Sequence, residues 1–151
     1  MKIDTQVITA KVQIFPNEQQ VIELKQMFEL YSLACNWLSK KVFQNKILNQ
    51  VKLHHLVYDE MRSELGTKAQ FTQSVIKTVV ARYKSVKSNG HDWSLVKFSG
   101  NDYDLVWNRD YSLVGNQFSI GVSSGRIKVN FAKKPLNQFQ KAKAKFGSAK
   151  V

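Results

Sequence analysis

The chain has 151 residues, with 23 Lys and Arg against 11 Asp and Glu, for a formal net charge of +12. With 43% hydrophobic and 11% aromatic residues, it can fill the core of one domain or two small ones, which excludes a disordered chain. The single cysteine, Cys35, excludes an intrachain disulfide and a cysteine-rich zinc site.

Residues 7–14 alternate, with Ile8, Ala10, Val12 and Ile14 on one face and Thr9, Lys11 and Gln13 on the other, which predicts a half-buried strand. Pro16 breaks that pattern. Asn17 is placed to cap a helix and Gln20 to reach back and complete a capping box. In the first helix Val21, Leu24, Phe28, Tyr31, Cys35, Leu38 and Val42 form one apolar stripe, and Lys40 and Lys41 fall toward its C-terminal end. A second helix near Leu53–Leu65 carries Leu53, Val57, Met61 and Leu65 on one face and stops at Gly66. Thr67 and Gln70 have capping-box spacing ahead of a third helix, about Lys68 to Lys87. Its apolar stripe is Val75, Val79, Tyr83 and Val86, with Ala69, Gln73, Lys77 and Lys84 largely off it. That polar side is either a solvated face or a face that meets phosphates.

From Ser88 the period changes. Asn89-Gly90 is a turn signal, and Tyr103, Leu105 and Trp107 alternate with their neighbours. Phe118, Ile120 and Val122, then Ile127, Val129 and Phe131, alternate around a Ser123-Ser124-Gly125 hairpin turn. Arg126, Lys128 and Asn130 therefore project from the face opposite the core. Pro135 ends the run. A Lys-rich stretch leads to Phe146–Val151, which reads as the start of a further strand.

The charge is unevenly spread. Residues 111–151 hold eight basic side chains and no acid, and Thr67–His91 holds five and no acid. A solubilising surface usually mixes both signs, so a polyanion is the expected partner. No apolar run reaches the ~20 residues that span a bilayer, and the N-terminal fifteen residues lack a leader core, so a cytoplasmic protein with no membrane partner is expected.

Catalytic chemistry is not expected. Two-metal phosphodiester cleavage needs clustered carboxylates, and no acid follows Asp110. Asp102 and Asp104 flank Tyr103 and share a strand face, which reads as strand-edge acids rather than a metal site. Adjacent His54 and His55 point apart on a helix and cannot make an i, i+4 metal pair. Cys35 falls on the apolar stripe as a core residue. Trp37 and Trp107 suit the core better than a stacking platform. No metal and no cofactor is expected.

The string LHHLVYDEMRSELGTKAQFTQSVIKTVVARYKSVK over 53–87 closely resembles the helical segment of TnpB proteins, RNA-guided DNA endonucleases of insertion sequences related to type V CRISPR effectors. Phe15-Pro16-Asn17-Glu18-Gln19, Ala34-Cys35-Asn36-Trp37, Gly125-Arg126-Ile127-Lys128-Val129 and Phe146–Val151 resemble the family's flanking elements in the same order. The resemblance implies an α+β architecture: a β-barrel-like wedge domain (1–15 and 89–151) interrupted by an inserted three-helix recognition block (16–88).

It also implies site residues. Lys68, Gln70 and Gln73 open the helix that reads the motif beside the target, Gln being able to pair bidentately with adenine, and His54 and His55 join them. Lys77, Arg82, Lys84 and Lys87 hold phosphates, and Arg126, Lys128, Lys133 and Lys134 hold RNA. The implied partners are a structured guide RNA, target DNA and a nuclease-bearing polypeptide. The family's RuvC-like domain and zinc ribbon would follow Val151, so cleavage is not carried over to these residues. The chain is then a fragment, a natural short form, or one piece of an effector whose nuclease lies on another chain. The competing readings are a stand-alone DNA-binding regulator on a palindromic duplex and a subunit that docks onto a nuclease through its final strand.

Overall fold

The structure is a computed structural model that describes residues 7–90, 93–99, 103–141 and 146–151, with backbone alone at 138–141. Asp102, and Lys143 and Lys145 among the eight basic residues of 111–151, lie outside these residues. The chain runs β1 (Ile14–Phe15), α1 (Glu18–Asn45), α2 (Gln50–Leu65), α3 (Ala69–Ser88), β2 (Asp104–Leu105), β3 (Tyr111–Val114), β4 (Gln117–Val122), β5 (Gly125–Phe131), α4 (Lys134–Lys141) and β6 (Ala149–Lys150). This is an α+β fold.

Local chemistry sets the helix ends. The Asn17 side chain accepts from the Gln20 N–H at 2.8 Å and the Asn17 N–H donates to Gln20 Oε1 at 3.0 Å, so the capping box forms, a cap of about 1 kcal/mol. Gly66 closes α2 in the left-handed conformation at φ 66°, with its N–H donating to the Arg62 carbonyl. The Thr67–Gln70 capping box does not form. Thr67 is buried with its hydroxyl 2.6 Å from that of Thr72, and Lys68 is the N-cap residue with no side-chain cap bond. Lys41 serves no helix end: its ammonium pairs with Glu60 of α2 at 3.1 Å.

The main sheet is antiparallel in the order β1-β5-β4-β3, and β2 pairs with β6 apart from it. Ser123 and Ser124 join β4 to β5 where Val122 faces Gly125, as the hairpin reading required. The expected barrel is not closed. β1 and β3 are the edges of the sheet, and four strands, one only two residues long, cannot curl back on themselves. The strand predicted over 7–14 shrinks to Ile14–Phe15, paired with Phe131 and Asn130. Val7 and Ile8 are 91% and 60% exposed: past the bond from the Ala132 N–H to the Gln13 carbonyl, the alternating segment meets no partner strand among the described residues. The Tyr103–Trp107 alternation yields strand only at Asp104–Leu105.

One core joins the layers. Leu24, Tyr31, Leu38 and Val42 of α1, Val57 and Met61 of α2 and Val75 and Val79 of α3 share it with Tyr103, Leu105, Ile120, Val122, Ile127 and Val129. Asp104 ties the helices to β2. Its Oδ2 accepts from the Tyr31 hydroxyl at 3.0 Å and the Thr78 hydroxyl at 3.1 Å, and Lys150 lies 3.6 Å from its Oδ1. Cys35 is fully buried, as its place on the stripe implied.

Candidate nucleic-acid interface

α3 buries Phe71, Thr72, Ser74, Val75, Ile76, Val79, Val80 and Tyr83 and leaves Gln73, Lys77, Lys84 and Lys87 exposed. At 3.6 residues per turn these four fall within an arc of about 80°. Arg82 does not join them. It lies about 140° round the helix from Lys77, and its guanidinium sits 5.8 Å from the Phe98 ring centroid. The lysine stripe is thus narrower than the run of basic residues suggested.

The start of α3 opens into a cleft of about 270 Å³ between the helices and the β4–β5 hairpin, floored by Met27, Leu30, Phe71 and Tyr103. Lys68 crosses it to donate to the Val122 carbonyl at 3.2 Å. Arg109 donates to Gln70 Oε1 at 3.3 Å, and Arg126 donates to the Arg109 carbonyl at 2.6 Å. Three cations therefore converge on one edge, bonded to neutral oxygens. Sequence reasoning missed Arg109, which stands in a turn beside Asp110 with no periodic signal to mark it. Gln70 is held here, by Arg109, rather than standing free beside Gln73.

Among the described residues Asp110 is the one carboxylate lining this cleft, and it is buried. Burial raises its pKa above the ordinary carboxylate value, against the Val106 N–H bond (2.9 Å) and the charges of Arg126 and Arg109, which lower it. A raised folded-state pKa means that the protonated form is favoured by folding. Its contribution to stability is complete below the unfolded value and is lost as pH rises through the folded one. Asp110→Asn, whose amide oxygen can still accept from Val106, is therefore expected to melt no lower than the parent at pH 7 and to lose its advantage near pH 4. A variant that melts lower at pH 7 would show that the arginines, not burial, govern this site.

His54 and Gln73 share a second, open groove of about 240 Å³ with Gln50, Val51 and Ile76. The His54 ring stacks on Tyr58 at 4.5 Å, while His55 is exposed. Lys128 is exposed on the outer face of β5, and Lys133 and Lys134 are exposed at the start of α4. None of the interface cations pairs with a carboxylate among the described residues. Trp37 and Trp107 are half-buried. Trp37 donates to Glu64 at 3.2 Å, and Trp107 stacks on Phe146 at 4.6 Å, so neither is an open stacking platform.

Among the described residues no group of three or more His, Cys, Asp or Glu could hold a metal ion, and no helix is long and apolar enough to cross a membrane. No protein-family model, curated protein or solved structure matches the chain.

Proposed function

We propose that the chain is a nucleic-acid-binding module, the wedge-plus-recognition part of a TnpB-like RNA-guided nuclease. The observation that carries this reading is a basic surface in which no cation forms a salt bridge with a carboxylate among the described residues. Lys77, Lys84 and Lys87 form one exposed stripe on α3, and Lys68, Arg109 and Arg126 gather at its N-terminal end. Such a surface binds phosphates by releasing their counterions, whatever the base sequence. Gln73 and His54, side by side in a groove next to the stripe, are the polar groups suited to base edges. In this reading the open sheet and its basic tail hold a structured guide RNA, α3 meets target duplex, and base pairing reads most of the sequence. The catalytic domain belongs to the same protein or to a partner polypeptide.

The first test is to purify the protein from its host and sequence what copurifies. A defined structured RNA supports the proposal. A duplex without RNA favours a stand-alone DNA-binding regulator, and a nuclease polypeptide without nucleic acid favours a docking subunit. The second test separates base contacts from phosphate contacts on a library of randomised duplexes. Gln73→Ala is expected to change which sequences are retained, and Lys84→Ala to weaken all of them alike. Equal effects of the two variants would remove Gln73 as a reader.

A further inference from the structure

α1 and α3 run parallel, since Tyr31 meets Thr78 and, further along both helices, Ser39 meets Tyr83. Their C-termini lie at one end of the helical layer, away from the cleft, and there two lysines face one indole. Lys46 Nζ lies 3.6 Å from the Phe43 ring centroid and 4.9 Å from that of Trp93. Lys87 Nζ lies 5.0 Å from the same Trp93 ring, which is half-buried and leans on Tyr83 at 5.8 Å. Attraction to the ring faces holds both ammonium groups in place, yet two like charges held within about 10 Å of each other repel. Neither pairs with a carboxylate among the described residues.

The backbone gives a second, independent observation. Lys46 closes α1 in the left-handed conformation at φ 55°, ψ 38°, where a residue with a Cβ is disfavoured and glycine is the usual choice. α2 ends on glycine in that same conformation. α1 instead places a cation there, which is reason to ask what the charge does.

We infer that Lys46, Trp93 and Lys87 form a contact site for a phosphodiester backbone, extending the basic stripe of α3 past its C-terminus. The inference rests on the nucleic-acid reading above. The two ammonium groups bind phosphate oxygens, and the indole pre-orders them, so that less side-chain freedom is lost on binding. The site supplies salt-dependent affinity and no sequence choice.

The test uses the full chain with two probes, a DNA duplex of about 30 base pairs and an RNA stem-loop of similar length, titrated by fluorescence anisotropy at roughly 50 to 200 mM NaCl. Lys46→Gly suits the backbone and removes the charge, and Lys87→Gln changes an exposed side chain. Each is expected to reduce the slope of log K against log[salt] by about one, and the double variant by about two, with at least one probe. The probe that responds identifies whether DNA or RNA lies here. The melting temperature of the Lys46→Gly variant stays at or above that of the parent. A double variant with the parent's slope on both probes overturns the inference and leaves the proposed function standing. A parent that binds neither probe overturns both.

Discussion

Tyr83→Ala is expected to lower the free energy of unfolding by about 3–5 kcal/mol, at the high end for a core truncation. The side chain is 1% exposed and belongs to the core shared by helices and sheet. Its hydroxyl stands 2.7 Å from Ser39 Oγ, donates to the Ser39 carbonyl at 3.1 Å and accepts from the Val96 N–H at 3.2 Å. One residue thereby braces α3 against α1 and fixes the segment that carries Trp93. Tyr83→Phe keeps the ring and removes only the hydroxyl. Ser39 still donates to the Val96 carbonyl at 2.6 Å, but the Val96 N–H loses its acceptor, a loss of about 1–3 kcal/mol. In a chain of this size 1 kcal/mol corresponds to roughly 2–4 °C. Urea titrations and thermal melts should therefore rank parent, phenylalanine and alanine in that order, with the alanine variant about 6–20 °C below the parent. An alanine variant melting within a few degrees of the parent would show that Tyr83 is no brace.

The elements that local chemistry decides were legible in the sequence. Asn17 and Gln20 are three residues apart, and with neither residue buried in the core that spacing forms the capping box. Gly66 stops α2 because only a residue without a Cβ takes its backbone angles without strain. Two alternating runs around Ser123-Ser124-Gly125 fixed the β4–β5 register, since a slip of one residue would turn Ile127, Val129 and Phe131 to solvent.

What failed depended on partners that no local pattern names. Residues 7–12 alternate like a strand but pair with no strand among the described residues, and Gln13 takes only the bond from the Ala132 N–H at 2.9 Å. Thr67 has the spacing of a cap, but its hydroxyl is taken by Thr72. Closure of the sheet depended on strand number and length, and β1 is too short to continue it.

The candidate site divided in the same way. Periodicity placed Gln73, Lys77 and Lys84 on one face of α3, because that is a statement about a single helix. It also separates Arg82 from them, although neighbouring positions in the sequence suggest one group. Arg109 reaches Gln70 across 39 residues of chain, and Lys46 reaches Trp93 across a still longer stretch. Contacts of that range depend on how the layers pack, and nothing in either residue's neighbourhood announces them.

Splitting the basic surface by element is expected to split the affinity by ligand. Lys77 and Lys84 project from α3, and Arg126 and Lys128 from the outer face of β5, each set turned away from the core that both elements share. Counterion release gives each phosphate contact about 0.9 × log10(1/[salt]) decades of affinity, or about 0.7 near 0.15 M salt, so losing two contacts weakens binding roughly 30-fold. The Lys77→Gln, Lys84→Gln pair should impose that loss on duplex DNA and leave a structured RNA nearly unaffected. The Arg126→Gln, Lys128→Gln pair should do the reverse. Arg126 also donates to the Arg109 and Ser119 carbonyls, so its replacement disturbs the edge of the cleft as well as removing a charge. The Lys128 ammonium makes no such bond among the described residues and is exposed, so Lys128→Gln alone is the cleaner measurement, expected to cost RNA about five-fold. Equal losses on both probes from both pairs would mean that the charge acts as one undivided field, and the assignment of α3 to DNA and of the sheet to RNA would fall with it.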